Sequence, residues 1–170
     1  LNSEGFIPFL SGAGGYWPVI DEVASLSVIQ QQDRFSCGPA CAEMVLRDLG
    51  IDNVTQALIA KNTQTPVRLS DLAQTLNQFE VKGLRRWVGG GFDLSEATVA
   101  ELLATLISTG AWIAELREPM ARLGHLVVVD GFNENSLLLI RDPWQGTRYK
   151  MEQEAFLNYW TRRGIYAISL

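Results

Sequence analysis

Gln31-Gln32-Asp33-Arg34-Phe35-Ser36-Cys37-Gly38-Pro39-Ala40-Cys41 is the stretch that decides the fold. From it, Cys37, Cys41, Met44, Val45 and Leu49 share one face at helical spacing, which predicts a helix over residues 37–49. Ser36 stands where a helix cap belongs and Gly50 where a helix stops. Pro39 suits the first turn, where its missing N–H costs little, and Gly38 lets other backbone come close. The Cys37 thiol is thereby set at a helix start, where the positive end of the macrodipole and unpaired N–H groups favour a thiolate. Two readings fit this segment alone: a nucleophile, or a small apolar residue buried at a helix end.

Upstream of this helix, residues 1–25 carry Gly5, Pro8, Gly12, Gly14, Gly15 and Pro18 and show neither strand nor helix period, so they read as an irregular arm. Residues 26–30 read as a short apolar strand. Downstream, helices are expected over 55–61 and over 70–78, the second capped by Ser70 with Leu72, Leu76 and Phe79 turned inward. An extended segment over 79–88 closes in the flexible run Gly89-Gly90-Gly91. Thr98 and Glu101 then form a capping box for a helix that ends at Gly110. Beyond it the period changes to two. Residues 111–116, 125–132, 137–141, 147–151 and 164–170 read as strands, with turns at Asn133 to Asn135 and at Asp142-Pro143, and a helix over 152–160 interrupts them. Helices first and strands afterwards predict an α+β domain over 26–170, its helical half packed on a largely antiparallel sheet.

Composition bounds the function. The 170 residues, 47% of them hydrophobic and 19% charged, suit one domain. A net charge of -5 offers no basic stripe for phosphates, which argues against nucleic acid as a partner. No apolar run reaches the roughly 18 residues that span a bilayer, so no membrane is expected as a partner either. The chain opens on Leu1 without a Met, which suggests an excised domain or a processed product. Cys37 and Cys41, one helical turn apart, are poorly aimed for a disulfide, and free thiols fit a reducing workplace.

A thiolate needs a base, and His125 is the only histidine. At the first residue of an apolar strand its ring would be fixed with one nitrogen facing a cleft. The base wants an orienter. Asp142 lies 17 residues on, at the end of the next strand, where a hairpin returns the chain to the same edge. Read alone, Asp142 before Pro143 is also an ordinary turn residue. Asp130 lies about 16 Å along the strand from His125, too far to serve. Gln31, Gln32 and Gln30 all lie on the approach to the helix, where a side-chain amide and the Cys37 N–H can converge on an oxyanion. A structural zinc site made of Cys37, Cys41, His125 and Asp142 is the competing use of these residues, with weak spacing for it. No metal or other cofactor is expected.

Gln31, Cys37-Gly38, Gly124-His125 and Asp142-Pro143, in that order, resemble the papain-like cysteine peptidases, and most closely the bacterial double-glycine peptidases that trim leaders from bacteriocin precursors. The resemblance covers residues 28–170. It implies the papain-like fold, Cys37 as nucleophile, His125 as base, Asp142 as its orienter and Gln31, six residues before the nucleophile, as oxyanion donor. It also implies that Trp144 shields the histidine–aspartate bond, the alternative being an ordinary apolar anchor. Gly124 comes with it as a residue lining the substrate cleft.

Ser36 departs from the aspartate found in many leader peptidases, and these 170 residues hold neither a transporter nor a nucleotide-binding domain, so leader export is not an expectation here. The expected substrate is a protein with a Gly-Gly segment, and Gly14-Gly15 is a conceivable self-processing site. Context suggests the toxic domain of a secreted bacterial effector, acting in the cytoplasm of a target cell and restrained in its producer by an immunity or inhibitor protein. Glutamine deamidation or transglutamination on the same residues, or a non-catalytic binding module, are the alternatives.

Overall fold

A computed structural model describes residues 17–80, 83–92 and 97–170. Within them the chain runs β1 (Ile20–Ala24), α1 (Cys37–Asp48), α2 (Gln56–Lys61), α3 (Leu69–Phe79), β2 (Arg85–Gly91), α4 (Val99–Ser108), β3 (Trp112–Leu116), β4 (His125–Phe132), β5 (Leu138–Asp142), β6 (Thr147–Met151), α5 (Gln153–Tyr159) and β7 (Trp160–Ser169). The strands form one sheet in the order β1-β6-β5-β4-β3-β7-β2, antiparallel at every pairing. The fold is α+β, as the change of period predicts.

Strand alternation divides two cores. Leu126 and Val128 of β4 and Ile113 of β3 face α1, α2 and α3, where Met44, Leu46, Ile59, Leu72 and Leu76 close one core. Val127, Val129, Trp112, Ala114 and Leu116 face the other way, against Leu103 and Leu106 of α4, Phe156 of α5 and Trp17. A sheet buried on both faces explains why 125–132 reads as a nearly unbroken apolar run. The helix α1 is buried at every position from Gly38 to Leu46, which puts its N-terminus deep against the sheet.

Several expectations change. Residues 20–24 belong to the sheet, where β1 pairs with β6 across a register shift, although 1–25 read as an irregular arm. Gly14-Gly15 lies outside the described residues. Residues 26–30 form no strand: Val28 N–H bonds the Ser25 carbonyl at 3.0 Å, and Leu26 is fully exposed on the resulting turn. Ser36 is the residue before α1 but caps nothing, because its hydroxyl donates instead to Asp33 Oδ1 at 2.7 Å. Ser70 lies inside α3, which starts after Arg68. Gly89, Gly90 and Gly91 are not a flexible run. They form the end of β2, and a Cβ on Gly89 would come within 2.5 Å of the Leu69 carbonyl oxygen, so glycine is what lets the strand pass α3. The Thr98–Glu101 capping box is present in both directions.

Candidate active site

Cys37 opens α1, half-buried, with its thiol free of any disulfide. The early N–H groups of a helix have no partner within it, so this end presents donors beside the sulfur. Its sulfur lies by the His125 ring, at the first residue of β4, closely enough to be among the groups that hold the imidazole charged. The two residues that the sequence offers as nucleophile and base are thus brought together where α1 meets β4.

On its other side, His125 Nε2 lies 2.7 Å from Asp142 Oδ1. The pairing of β4 with β5 sets this distance: Val128 is opposite Arg141, so the end of β5 comes level with the start of β4. Asp142 is about 1% exposed, and its oxygens are well supplied with donors. Oδ1 also accepts from the Trp144 backbone N–H at 3.0 Å, and Oδ2 accepts from the Tyr149 hydroxyl at 2.7 Å. Asp130 is engaged elsewhere, with Arg141 at 2.7 Å.

Burial opposes charge on the His125 ring. The Asp142 carboxylate beside it, their hydrogen bond and the Cys37 sulfur outweigh that, and the imidazole pKa is pushed up to about 10. The arrangement favours imidazolium facing sulfur. Two tryptophans confine the ring. Trp17 stacks on it with centroids 6.2 Å apart and planes 21° apart, and Trp144 meets it edge-on at 6.4 Å.

Gln31 is buried on the loop before α1. Its N–H donates to the Pro143 carbonyl at 2.7 Å, tying this loop to the Asp142 turn, and its Nε2 donates to the Asp33 carbonyl at 2.7 Å. Gln32 and Gln30 have a different task, since their backbone groups are held by Gln56: the Gln56 Nε2 donates to the Gln30 carbonyl at 2.7 Å, and its Oε1 accepts from Gln32 N–H at 2.9 Å. Gln56 N–H in turn donates to Glu43 Oε1 of α1 at 2.6 Å.

A cleft of about 90 Å³ opens beside Cys37, walled by Phe35, Pro66, Val67, Leu123 and Gly124, with Glu115 at its side. A Cβ on Gly124 would come within 2.5 Å of Glu115 Cγ, so any side chain there forces the Glu115 side chain to move. A cavity of about 710 Å³ lies elsewhere, over β5 and β6 near Asp48 and Arg148, and neither Cys37 nor His125 lines it. Cys41 does not join a metal site with the others. Its thiol is fully buried and donates to the Leu126 carbonyl at 3.3 Å.

Sequence reading missed Trp17, Tyr149 and Gln56. Trp17 was hidden in a segment without periodicity, Tyr149 looked like any inward strand residue, and Gln56 like a polar first-turn residue. Of the three, only Tyr149 carried a signal: the hairpin that predicts the Asp142 turn also returns β6 alongside β5.

A helix-start cysteine against a strand-borne histidine, on this mixed fold, defines a papain-like cysteine peptidase. Residues 23–168 match the Peptidase_C39 like family. Over 155 residues, 91% of the chain, it is 37% identical to Cysteine protease effector 1 of Escherichia coli O1:K1:H7, and it spans 29% of that relative's length. Among solved structures, the peptidase domain of Streptococcus ComA, a bifunctional ABC transporter involved in a quorum-sensing pathway, is similar in fold. The TM-score is 0.60 at 23% identity, covering 84% of this chain and 97% of that one. The Streptococcus mutans ComA peptidase domain gives 0.52 at 20% identity, covering 84% and 98%. The chain belongs to the Peptidase_C39 like family.

Proposed function

We propose that this chain is an endopeptidase that cuts protein substrates after a Gly-Gly segment, using Cys37, His125, Asp142 and Gln31. The observation that carries the proposal is the 2.7 Å bond from His125 Nε2 to Asp142, which leaves the other ring nitrogen for the Cys37 sulfur. The thiolate attacks the scissile carbonyl carbon, and the carbonyl electron pair moves to oxygen. The Cys37 N–H and the second Nε2 hydrogen of Gln31 hold that oxyanion. Collapse of the adduct expels the amine, which takes a proton from imidazolium. Neutral His125 then removes a proton from water, hydroxide attacks the thioester, and the acid departs with Cys37 regenerated. One water is consumed per bond cut.

Support for the Gly-Gly preference comes from the cleft, whose 90 Å³ between Gly124, Glu115 and Phe35 suits backbone with little side chain. The Escherichia coli relative is named an effector. We carry that to this chain as a toxic domain delivered into a bacterial target cell, with an immunity protein restraining it in the producer. Trp144, edge-on to His125, shields the His125–Asp142 bond from water.

The test compares wild type with Cys37→Ala on a proteome, reading new protein N-termini. Cuts after Gly-Gly that vanish in the variant are expected. Cutting that survives the substitution overturns the mechanism, and a shift of about 1 dalton at glutamine instead of a cut would make the chain a deamidase. Expression in a bacterium should be toxic only with Cys37 intact, and harmless high-level expression of active enzyme would overturn the toxin assignment.

A further inference from the structure

We propose that Tyr149 and Trp17 are positioning residues for the histidine–aspartate pair. Trp17 Nε1 lies 3.0 Å from the Tyr149 hydroxyl, and that hydroxyl lies 2.7 Å from Asp142 Oδ2. An indole N–H only donates, so the hydroxyl must accept from Trp17, and its single proton is directed to Asp142. The chain of donors has one direction.

Its effect is geometric. Asp142 is buried, and a carboxylate free to turn about its Cβ–Cγ bond would not keep Oδ1 on His125 Nε2. The Tyr149 hydroxyl pins Oδ2 from β6, the Trp144 N–H pins Oδ1, and the plane between them is set. Trp17 acts twice, since the same indole that orients the hydroxyl also stacks on the His125 ring. A segment just before β1, far from Asp142 and Tyr149 in sequence, thereby completes the site that the Cys37 mechanism uses, and the inference rests on that mechanism.

The titratable groups around the pair come from three elements: Cys37 and Cys41 on α1, Tyr149 on β6 and Glu22 on β1. Burial and the Asp142 charge push the Tyr149 hydroxyl up, so it stays protonated and able to donate. Glu22 is pushed up by burial, against its bond from Thr147, and by the nearby Asp142. It binds Thr147 at 2.7 Å and is not bonded to the pair.

The chain has one histidine, so proton NMR of its imidazole reads the pair directly, whether or not a substrate is known. In Tyr149→Phe, shown folded by near-ultraviolet circular dichroism, the His125 titration midpoint should fall by about one unit or more as the carboxylate loses its plane. On a substrate cut by wild type, kcat should fall about tenfold with KM within twofold. Trp17→Phe, which keeps an aromatic ring and loses the donor, should move both in the same direction by less. A tyrosine that merely fills the core would lower stability and leave midpoint and kcat alone, and that result overturns the proposal. If Tyr149→Phe does not fold, an unchanged midpoint in Trp17→Phe overturns it. Wild type that neither cuts protein nor reacts with iodoacetamide, but whose midpoint still falls in Tyr149→Phe, would sink the peptidase mechanism and leave the positioning intact.

Discussion

His125 holds its proton against burial, and the consequence is a pH dependence with a definite sign. The folded-state pKa near 10 lies above the ordinary 6.5, so the pair's contribution to stability is complete below about pH 6.5 and declines above it. It is gone once pH has risen through about 10. Asp142→Asn removes the charge and keeps an acceptor for Nε2, so the imidazole midpoint should drop toward or below its ordinary value, and cleavage near neutral pH should fall about a hundredfold. The difference in urea midpoint between wild type and Asp142→Asn should shrink between pH 7 and 10. A midpoint of His125 unmoved by the substitution would remove Asp142 from the pair. At this scale the sequence is informative: cysteine and histidine are rare or singular in the chain, Cys37, His125 and Asp142 all sit at element ends, and the short β4–β5 hairpin leaves few ways to place them. Trp17 and Tyr149 are not legible, because nothing local distinguishes an indole or a phenol that fills a core from one that orders a carboxylate.

Elements differ in how far their neighbours matter. The helix α4 is readable because Thr98 and Glu101 cap it within one turn. The strand β1 is not, because an edge strand with exposed Val23 and Ala24 shows no alternation, and only pairing with β6 makes it a strand. The loop before α1 depends on α2. Gln56 grips the chain on both sides of Gln31, so Gln56→Ala should loosen that loop and lower kcat about tenfold while the far-ultraviolet spectrum stays unchanged. Unaltered turnover in that variant would show that the loop holds without the clamp. In the turn into β4, Gly124→Ala should push the Glu115 side chain, which Thr161 holds at 2.7 Å, into the cleft beside Cys37. Turnover of peptide substrates is expected to fall about tenfold or more, and full turnover would mean that Glu115 swings clear.

Across the whole molecule, α1 is tied to the sheet far from Cys37 as well as beside it. Arg141 of β5 bonds Asp48 at the end of α1 at 2.6 Å and Asp130 of β4 at 2.7 Å. Arg141→Met leaves two carboxylates facing each other, and we expect a loss of about 1–3 kcal/mol in urea denaturation, smaller where Asp48 is open to solvent. An unchanged urea midpoint would assign the tie no weight. The amino-acid order by itself determined the types of most elements, the α+β class, the helix-start thiol and the approach of His125 to Asp142. Those rest on periodicity, caps and one short hairpin, all interactions between residues close along the chain. Only the tertiary structure decided that Trp17 stands behind Tyr149, 132 residues away, and that β1 and β2 close the two edges of the sheet. Contacts of that span depend on which strands become neighbours, and burial of both sheet faces sets that order once the whole chain packs.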